Sequence, residues 1–198
     1  MFGGFGMRIK FTKGNQKLPK TTYILNMTSA TDCPSRTMGL CPIVNDGGEC
    51  YAKRPERFRP GCLPFREYQH EAWLGTSAES IAQQLLAASS RSKKHPMRAL
   101  RFSEAGDFES QAGVDKMDMV AANLKPYGIV TCGYTARIDL DFSKVRHVVV
   151  TGSGFMVHNE FVAVKEFTAE HRNRCAGNCR VCVKCQKRYG ETIFVKYH

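Results

Sequence analysis

Apolar residues in this chain come in short blocks whose internal spacing predicts the elements. "TTYILNM" (21–27) joins β-branched and apolar residues and runs into the polar "TSATD", the pattern of a strand with a polar carboxyl end. "MRALRFS" (97–103), "GIVTCGYT" (128–135) and "HVVVTGS" (147–153) repeat it, and "FVAVKEF" (161–167) and "TIFVKYH" (192–198) read as late strands. Two helical stretches follow the first strand, "FREYQHEAWL" (65–74) and "SAESIAQQLLAASSRSKK" (77–94). The second opens on the capping-box pattern Thr76-Ser77-Ala78-Glu79. A further helix covers about 111–125, where Val114, Met117, Val120, Ala121 and Leu124 recur at helical spacing. The stretch 33–62 carries Pro34, Pro42, Pro55, Pro60 and the Gly47-Gly48 pair, so it reads as an irregular loop. A loop of that length in one domain implies a functional reason.

Strand, helix, strand, helix, strand at this spacing predicts βαβ units. The expected fold is one α/β domain with a mostly parallel sheet or an incomplete (β/α) barrel. That domain spans 1–170 and includes the Cys-rich loop 33–62, with a basic Cys-cluster segment, 171–198, packed on it. Sheets of this class bind ligands beyond the carboxyl ends of their strands. The rule gathers Asn26 and Thr28, then 103–107, 134–139 and 151–154, on one face with the loop 33–50.

Sulfur changes the picture most. The chain has nine cysteines, an odd number that fits poorly with a complete disulfide framework. Its start, "MFGGFGMRIKF", lacks the apolar core and cleavage site of a signal peptide, and no run of about 18 apolar residues marks a membrane span. The expected setting is the cytoplasm, where thiols stay reduced. Metal is therefore favoured over disulfides. Cys175, Cys179, Cys182 and Cys185 follow Cys-x3-Cys-x2-Cys-x2-Cys, the tight ferredoxin spacing written backwards. Four ligands so close are cramped around one zinc, so a 4Fe-4S cluster is favoured and zinc is the alternative. Cys33, Cys41 and Cys50 form a looser trio, Cys-x7-Cys-x8-Cys, in a turn-rich stretch with little core to enter. Three thiolates on a cubane leave one iron open to a substrate or cofactor. Cys62 stays undecided as a ligand, and Cys132, inside an apolar strand, reads as core.

Charge and polar motifs add the partner and the candidate chemistry. A formal charge of +11 points to an anionic partner, a nucleic acid or a nucleotide. Beyond residue 170 stand Arg172, Arg174, Arg180, Lys184, Lys187, Arg188 and Lys196 against Glu191 alone. Phosphate binding and neutralisation of metal-bound thiolates both account for them. In "LRFSEAGDFES" one acid suits a helix N-terminus, but two exceed that need, so Glu104 and Asp107 are catalytic candidates. "YTARIDLDFS" adds Tyr134, Arg137 and Asp139 to the catalytic set. Asn26, Ser103, Gly106, Gly152 and Ser153 are the candidate cofactor contacts, the last two from the glycine loop "VTGSGFMV". His158 and His171 read as packed or surface histidines. No Gly-x-Ser-x-Gly elbow, His-Glu-x-x-His helix or phosphate-loop Lys motif is present, which favours cofactor chemistry over a hydrolase.

In this order the pieces resemble a bacteriophage family, the gene product 88 family. The matching features are Cys33-Pro34 after a strand, Cys50-Tyr51-Ala52, an Arg-rich helix start near Arg66 and the Cys-rich tail. The hallmark is "RFSEAGDFES" (101–110), and the resemblance spans about 20–190. It implies a phage protein working in the host cytoplasm and leaves the chemistry open. At one remove, the layout is similar to radical S-adenosylmethionine enzymes. That likeness implies that Cys33, Cys41 and Cys50 hold a cubane whose open iron binds S-adenosylmethionine, with 103–107 holding the amino group. The trio is more widely spaced here than the usual Cys-x3-Cys-x2-Cys. The expected function is a phage-type iron–sulfur enzyme acting on a nucleotide or nucleic-acid base. The alternatives are a zinc-stabilised nucleic-acid-binding protein without catalysis, and a transglycosylase-like base-exchange enzyme whose strand-end Asp attacks a sugar while zinc is structural.

Overall fold

The apolar blocks pair in the order in which the chain makes them. The computed structural model describes residues 7–196 and holds a seven-stranded sheet ordered β1 to β7. The strands are β1 (Thr12–Lys13), β2 (Thr22–Leu25), β3 (Ala99–Phe102), β4 (Val130–Thr135), β5 (Val149–Ser153), β6 (Asn159–Val164) and β7 (Thr192–Lys196). β1 runs antiparallel to β2, and all later pairs are parallel. The class is α/β with a mostly parallel sheet, as the pattern predicts. β1 and β7 are its edges, and the pattern gave no sign of the two-residue β1. Residues 197 and 198 of the last predicted strand, and the first six residues of the predicted domain, lie outside the described residues.

One face of the sheet meets the helices. Tyr23, Leu25, Leu100, Phe102 and Val150 from the strands share a core with Trp73, Ile81, Leu85, Val114, Met117, Val120 and Leu124. These helical residues come from α4 (Cys62–Gly75), α5 (Ala78–Ser90) and α6 (Gln111–Leu124). Successive strand side chains point to opposite faces, so the alternate residues form the second face. Register aligns Ile24, Arg101, Cys132 and Val149 in one row there, and Tyr134, Thr151 and Asn159 in the next. No helix among the described residues is long and apolar enough to cross a membrane.

Three local expectations change. The loop 33–62 is not irregular throughout: it holds short helices α1 (Pro34–Thr37), α2 (Pro42–Asn45) and α3 (Lys53–Phe58). Pro34 and Pro42 open the first two, where a missing amide proton costs nothing and φ is already helical. The cap of α5 is Ser77, whose hydroxyl accepts from the Ser80 amide at 3.2 Å. Thr76 does not cap it, because its hydroxyl donates to the Met7 carbonyl. The Cys-rich tail is threaded into the sheet as the connection from β6 to β7, with the Cys175 amide donating to the Phe194 carbonyl at 2.7 Å.

Candidate metal and ligand site

The Cys-rich loop is held to the strand ends by buried polar side chains. Asp107, 4% exposed, is the central one. Its Oδ1 accepts from the Phe108 amide at 2.8 Å and the Thr135 hydroxyl at 2.7 Å. Its Oδ2 accepts from the Ala136 amide at 2.7 Å and from Ser35, on α1, at 2.5 Å. Burial pushes the Asp107 carboxyl above its ordinary value, against the pull of all four donors. Asn26 holds the turn after β3, its Oδ1 accepting from the amides of Glu104 and Ala105 at 2.8 and 3.0 Å. Gly106, at φ 75°, closes that turn against Thr28, where an added Cβ would stand 1.9 Å from the threonine hydroxyl. Only glycine fits.

A second anchor lies deeper in the loop. Glu56 accepts from the amides of Ala30 and Thr31 at 2.7 and 3.0 Å, and from Arg66 at 2.6 Å. Arg66 also donates to the Ala52 carbonyl at 2.7 Å, fixing the Cys50-Tyr51-Ala52 segment. The Tyr51 hydroxyl completes the attachment by donating to the Glu104 carbonyl at 2.8 Å.

These anchors bring the N-terminal thiols to the carboxyl ends of the strands, as expected. Cys33 and Cys41 each lie within electrostatic reach of Cys50 and of Asp107. Burial pushes the Cys33 thiol up to about 12, the amides of Arg36 and Ser35 pulling the other way. Burial also raises Cys41. Pro42, beside Cys41, packs against Gly154 after β5. The loop thus touches the turn after β3 and the end of β5, and Asp107 links it to the end of β4. Cys62 opens α4.

The C-terminal thiols gather over the second face. Cys185 is in electrostatic reach of Cys175, Cys179 and Cys182, and burial pushes it up to about 11 while the Tyr134 hydroxyl, its hydrogen-bond partner, pulls it down. Beneath them, Cys132 is buried, as its place in an apolar strand predicts, and it feels Cys185 and Cys179, so this core thiol stands under the cluster. Asn159 pins the segment down: its amide donates to the Lys187 carbonyl at 2.8 Å, and its carbonyl accepts from the Tyr189 amide at 2.9 Å. Tyr134 lies between two neighbours. Its ring stacks on Phe161 with centroids 5.1 Å apart, and the Arg101 guanidinium carbon stands 4.7 Å from its centroid.

Among the described residues, no three Cys, His, Asp or Glu side chains converge tightly enough to hold a single metal ion. A zinc ion takes its thiolates at about 2.3 Å, whereas a cubane takes each thiolate on a separate iron.

Several polar candidates serve structure instead of ligand. Asp107 has no lone pair left for a sugar or an amine, so it is an anchor and not the attacking carboxylate of a base-exchange enzyme. It does not cap α6 either, since Ser110 does so. Arg137, 4% exposed, forms a two-point ion pair with Asp139, both bonds at 2.7 Å, and donates to the Phe108 carbonyl. The pair satisfies itself. Gly152 is required by packing, since a Cβ there would stand 2.1 Å from the Phe155 carbonyl oxygen. The loop after Ser153 does not cradle an anion with its Gly154 amide, which donates to the Phe161 carbonyl at 2.8 Å. His158 accepts from the Val150 amide at 3.0 Å, and burial lowers it to about 4. His171 packs on Phe194.

Ser103 stands apart from these. It is the one described non-glycine residue with positive φ, 57°, and its buried hydroxyl has no hydrogen-bond partner within the protein. Strain of this kind concentrates at functional sites. Ser35, Tyr51 and Glu56 carried no sequence signal of their roles. Arg101 did carry one, a charge inside the apolar block "ALRF". Two surface hollows, of about 270 and 430 Å³, lie on the helical flank near His147 and near Tyr127, and no strand-end candidate lines either. Neither hollow is lined by a thiol of either sulfur set. Compared with family models, curated proteins and solved structures, the chain matches none.

Proposed function

We propose that this chain is an iron–sulfur enzyme acting on a nucleotide or nucleic-acid base. One observation carries the reading: the anchored loop delivers Cys33, Cys41 and Cys50 together to the carboxyl ends of parallel strands, beside Ala105 and Asp107 on the turn that follows the strained Ser103. Three thiolates there suit a cubane with one open iron. S-adenosylmethionine is the co-substrate that the layout suggests, with Ser103, Glu104 and Gly106 on the turn that would meet it. The C-terminal four are close enough in sequence to complete a second site, which is structural or electron-carrying. The resemblance to the phage family belongs to this same reading.

The test is metal content. Protein purified without oxygen is expected to be brown, with iron and acid-labile sulfide, and the Cys33, Cys41 and Cys50 to Ser variants lose part of both. Colourless protein holding only zinc would remove the reading.

The zinc-stabilised nucleic-acid-binding alternative draws on the tail, where Arg172, Arg174, Arg180, Lys187, Arg188 and Lys196 are exposed. On either reading a polynucleotide that meets about six phosphates should lose roughly a thousandfold in affinity between about 50 and 200 mM salt. Fluorescence anisotropy on single- and double-stranded DNA and RNA measures this. Absence of binding at low salt would restrict the substrate to a small nucleotide.

A further inference from the structure

Arg101 lies on the second face of the sheet, between the two sulfur sets, and forms no close ion pair among the described residues. The ion pairs among the described residues use Arg57, Arg66 and Arg137. The nearest acid in sequence, Glu104, acts on Arg101 only at a distance, its Oε1 accepting from the Asn15 side chain at 2.7 Å. The groups that touch the guanidinium are uncharged, with the Tyr51 hydroxyl among its hydrogen-bond partners, and the Glu104 charge is within electrostatic reach. The Arg101 Nε donates to the Ser103 carbonyl at 3.3 Å, the Tyr134 ring stands against the guanidinium carbon, and Tyr51 and Cys132 are close by.

A cation withdrawn from water is costly unless it is paired. Arg137 and Arg66 show how this fold pairs such groups, each meeting a carboxylate at 2.6 to 2.7 Å. Arg101 lacks that arrangement although it sits on the sheet itself. Two independent features stand beside it. Ser103, whose carbonyl it holds, keeps a left-handed backbone and a buried hydroxyl without a partner. Arg101 itself is half-buried, and Tyr51 beside it is 51% exposed, so the neighbourhood borders water. A guanidinium presents a planar fork of donors that matches an oxyanion at two points.

We propose that Arg101 anchors an oxyanion subsite between the two sulfur sets and takes the phosphate or carboxylate of the ligand. The subsite does not depend on which metal the thiols hold. Ser103 is its neighbouring hydroxyl donor, and Tyr51 stands at its entrance. The aromatic ring of Tyr134 keeps the guanidinium flat against the sheet.

The test uses the full chain as purified without oxygen. Inorganic phosphate and acetate are titrated separately by calorimetry at matched ionic strength, and the two arms tell which oxyanion is preferred. At least one is expected to bind saturably, with tenfold or greater loss in Arg101→Gln and a smaller loss in Arg101→Lys, which keeps the charge without the fork. Lys94→Gln, exposed after α5 and away from both sulfur sets, is the control with unchanged affinity. A second measurement needs no variant: phenylglyoxal modification of Arg101, mapped by mass spectrometry, should be suppressed by the preferred anion. Failure of wild type to bind either anion overturns the proposal. So does an Arg101 that the anion does not protect. Loss of metal from Arg101→Gln with anion affinity intact would also overturn it, by making the guanidinium a counter-ion to the thiolates.

Discussion

Breaking the pair between Arg66 and Glu56 is expected to give the largest loss of stability in this chain. Their side chains are 6% and 4% exposed, so neither charge can recover solvation in the folded protein. Removing one partner of such a pair costs about 3–5 kcal/mol, because the other is left buried without compensation. For a chain of this length that is a fall in Tm of roughly 10 °C. Arg66→Met should show it in thermal unfolding, and a loss below about 1 kcal/mol would mean that water reaches Glu56 after all. The same pair sets an acid limb. Burial works to raise the Glu56 carboxyl, but hydrogen bonds from Ala30, Arg66 and Thr31 outweigh it and hold the group below its ordinary 4.5. A depressed folded value means stability that is present above the unfolded value and lost as pH falls through the folded one. Wild type should therefore lose this share on acidification below 4.5, while Glu56→Gln should be weaker at neutral pH and flatter below it. Parallel acid limbs in the two proteins would show that Glu56 does not titrate as argued.

Asp107→Asn is expected to destabilise the fold and loosen the Cys-rich loop together. Each carboxylate oxygen accepts one backbone amide and one hydroxyl, Phe108 with Thr135 on one side and Ala136 with Ser35 on the other. Whichever way an Asn side chain is turned, its NH2 group faces a backbone amide that cannot accept. One buried donor is then unpaired, at about 1–3 kcal/mol. Removing the charge relieves a burial cost that raises the Asp107 carboxyl, so the effects oppose. The geometric loss is the larger, since both oxygens are already fully used, and a net loss of about 2 kcal/mol follows. The Ser35 link is the only one of the four that reaches α1. On the proposed function, its weakening should lower metal occupancy at the Cys33, Cys41 and Cys50 site more than at the C-terminal one. Melting and metal analysis of the variant check both. An unchanged Tm with unchanged metal would return Asp107 to the role of a ligand-facing acid.

The elements were legible because their apolar spacing is local. Val114, Met117, Val120, Ala121 and Leu124 recur at helical period, and all are at most 1% exposed on α6. The α/β class followed in the same way, from strands alternating with helices. The roles of the strand-end polar residues were less legible. A sequence shows that Asp107, Arg137 and Asp139 lie at strand ends, but not whether their hydrogen-bonding capacity is used by the protein. Asp107 and Arg137 proved to be satisfied internally, because a loop folded back over strand ends needs buried polar anchors as much as a catalytic site does. The pairing of Glu56 with Arg66 was invisible for a related reason: among the charges of "KRPERF" and "PFREYQ" neither residue shows which opposite charge it meets.

The sequence by itself determined the alternation of elements, the polar carboxyl ends of the strands and the crowding of thiols into two sets, since each depends on neighbours within a few residues. Tertiary structure alone decided which groups meet across long separations. It set Ser35 against Asp107, 72 residues apart, and Tyr51 against Glu104, 53 apart. It also placed Arg101 and Cys132 side by side under the C-terminal thiols, through the parallel register of β3 and β4. Register follows from the packing of the opposite, apolar face on the helices. The chemistry of the polar face is carried into position by that packing.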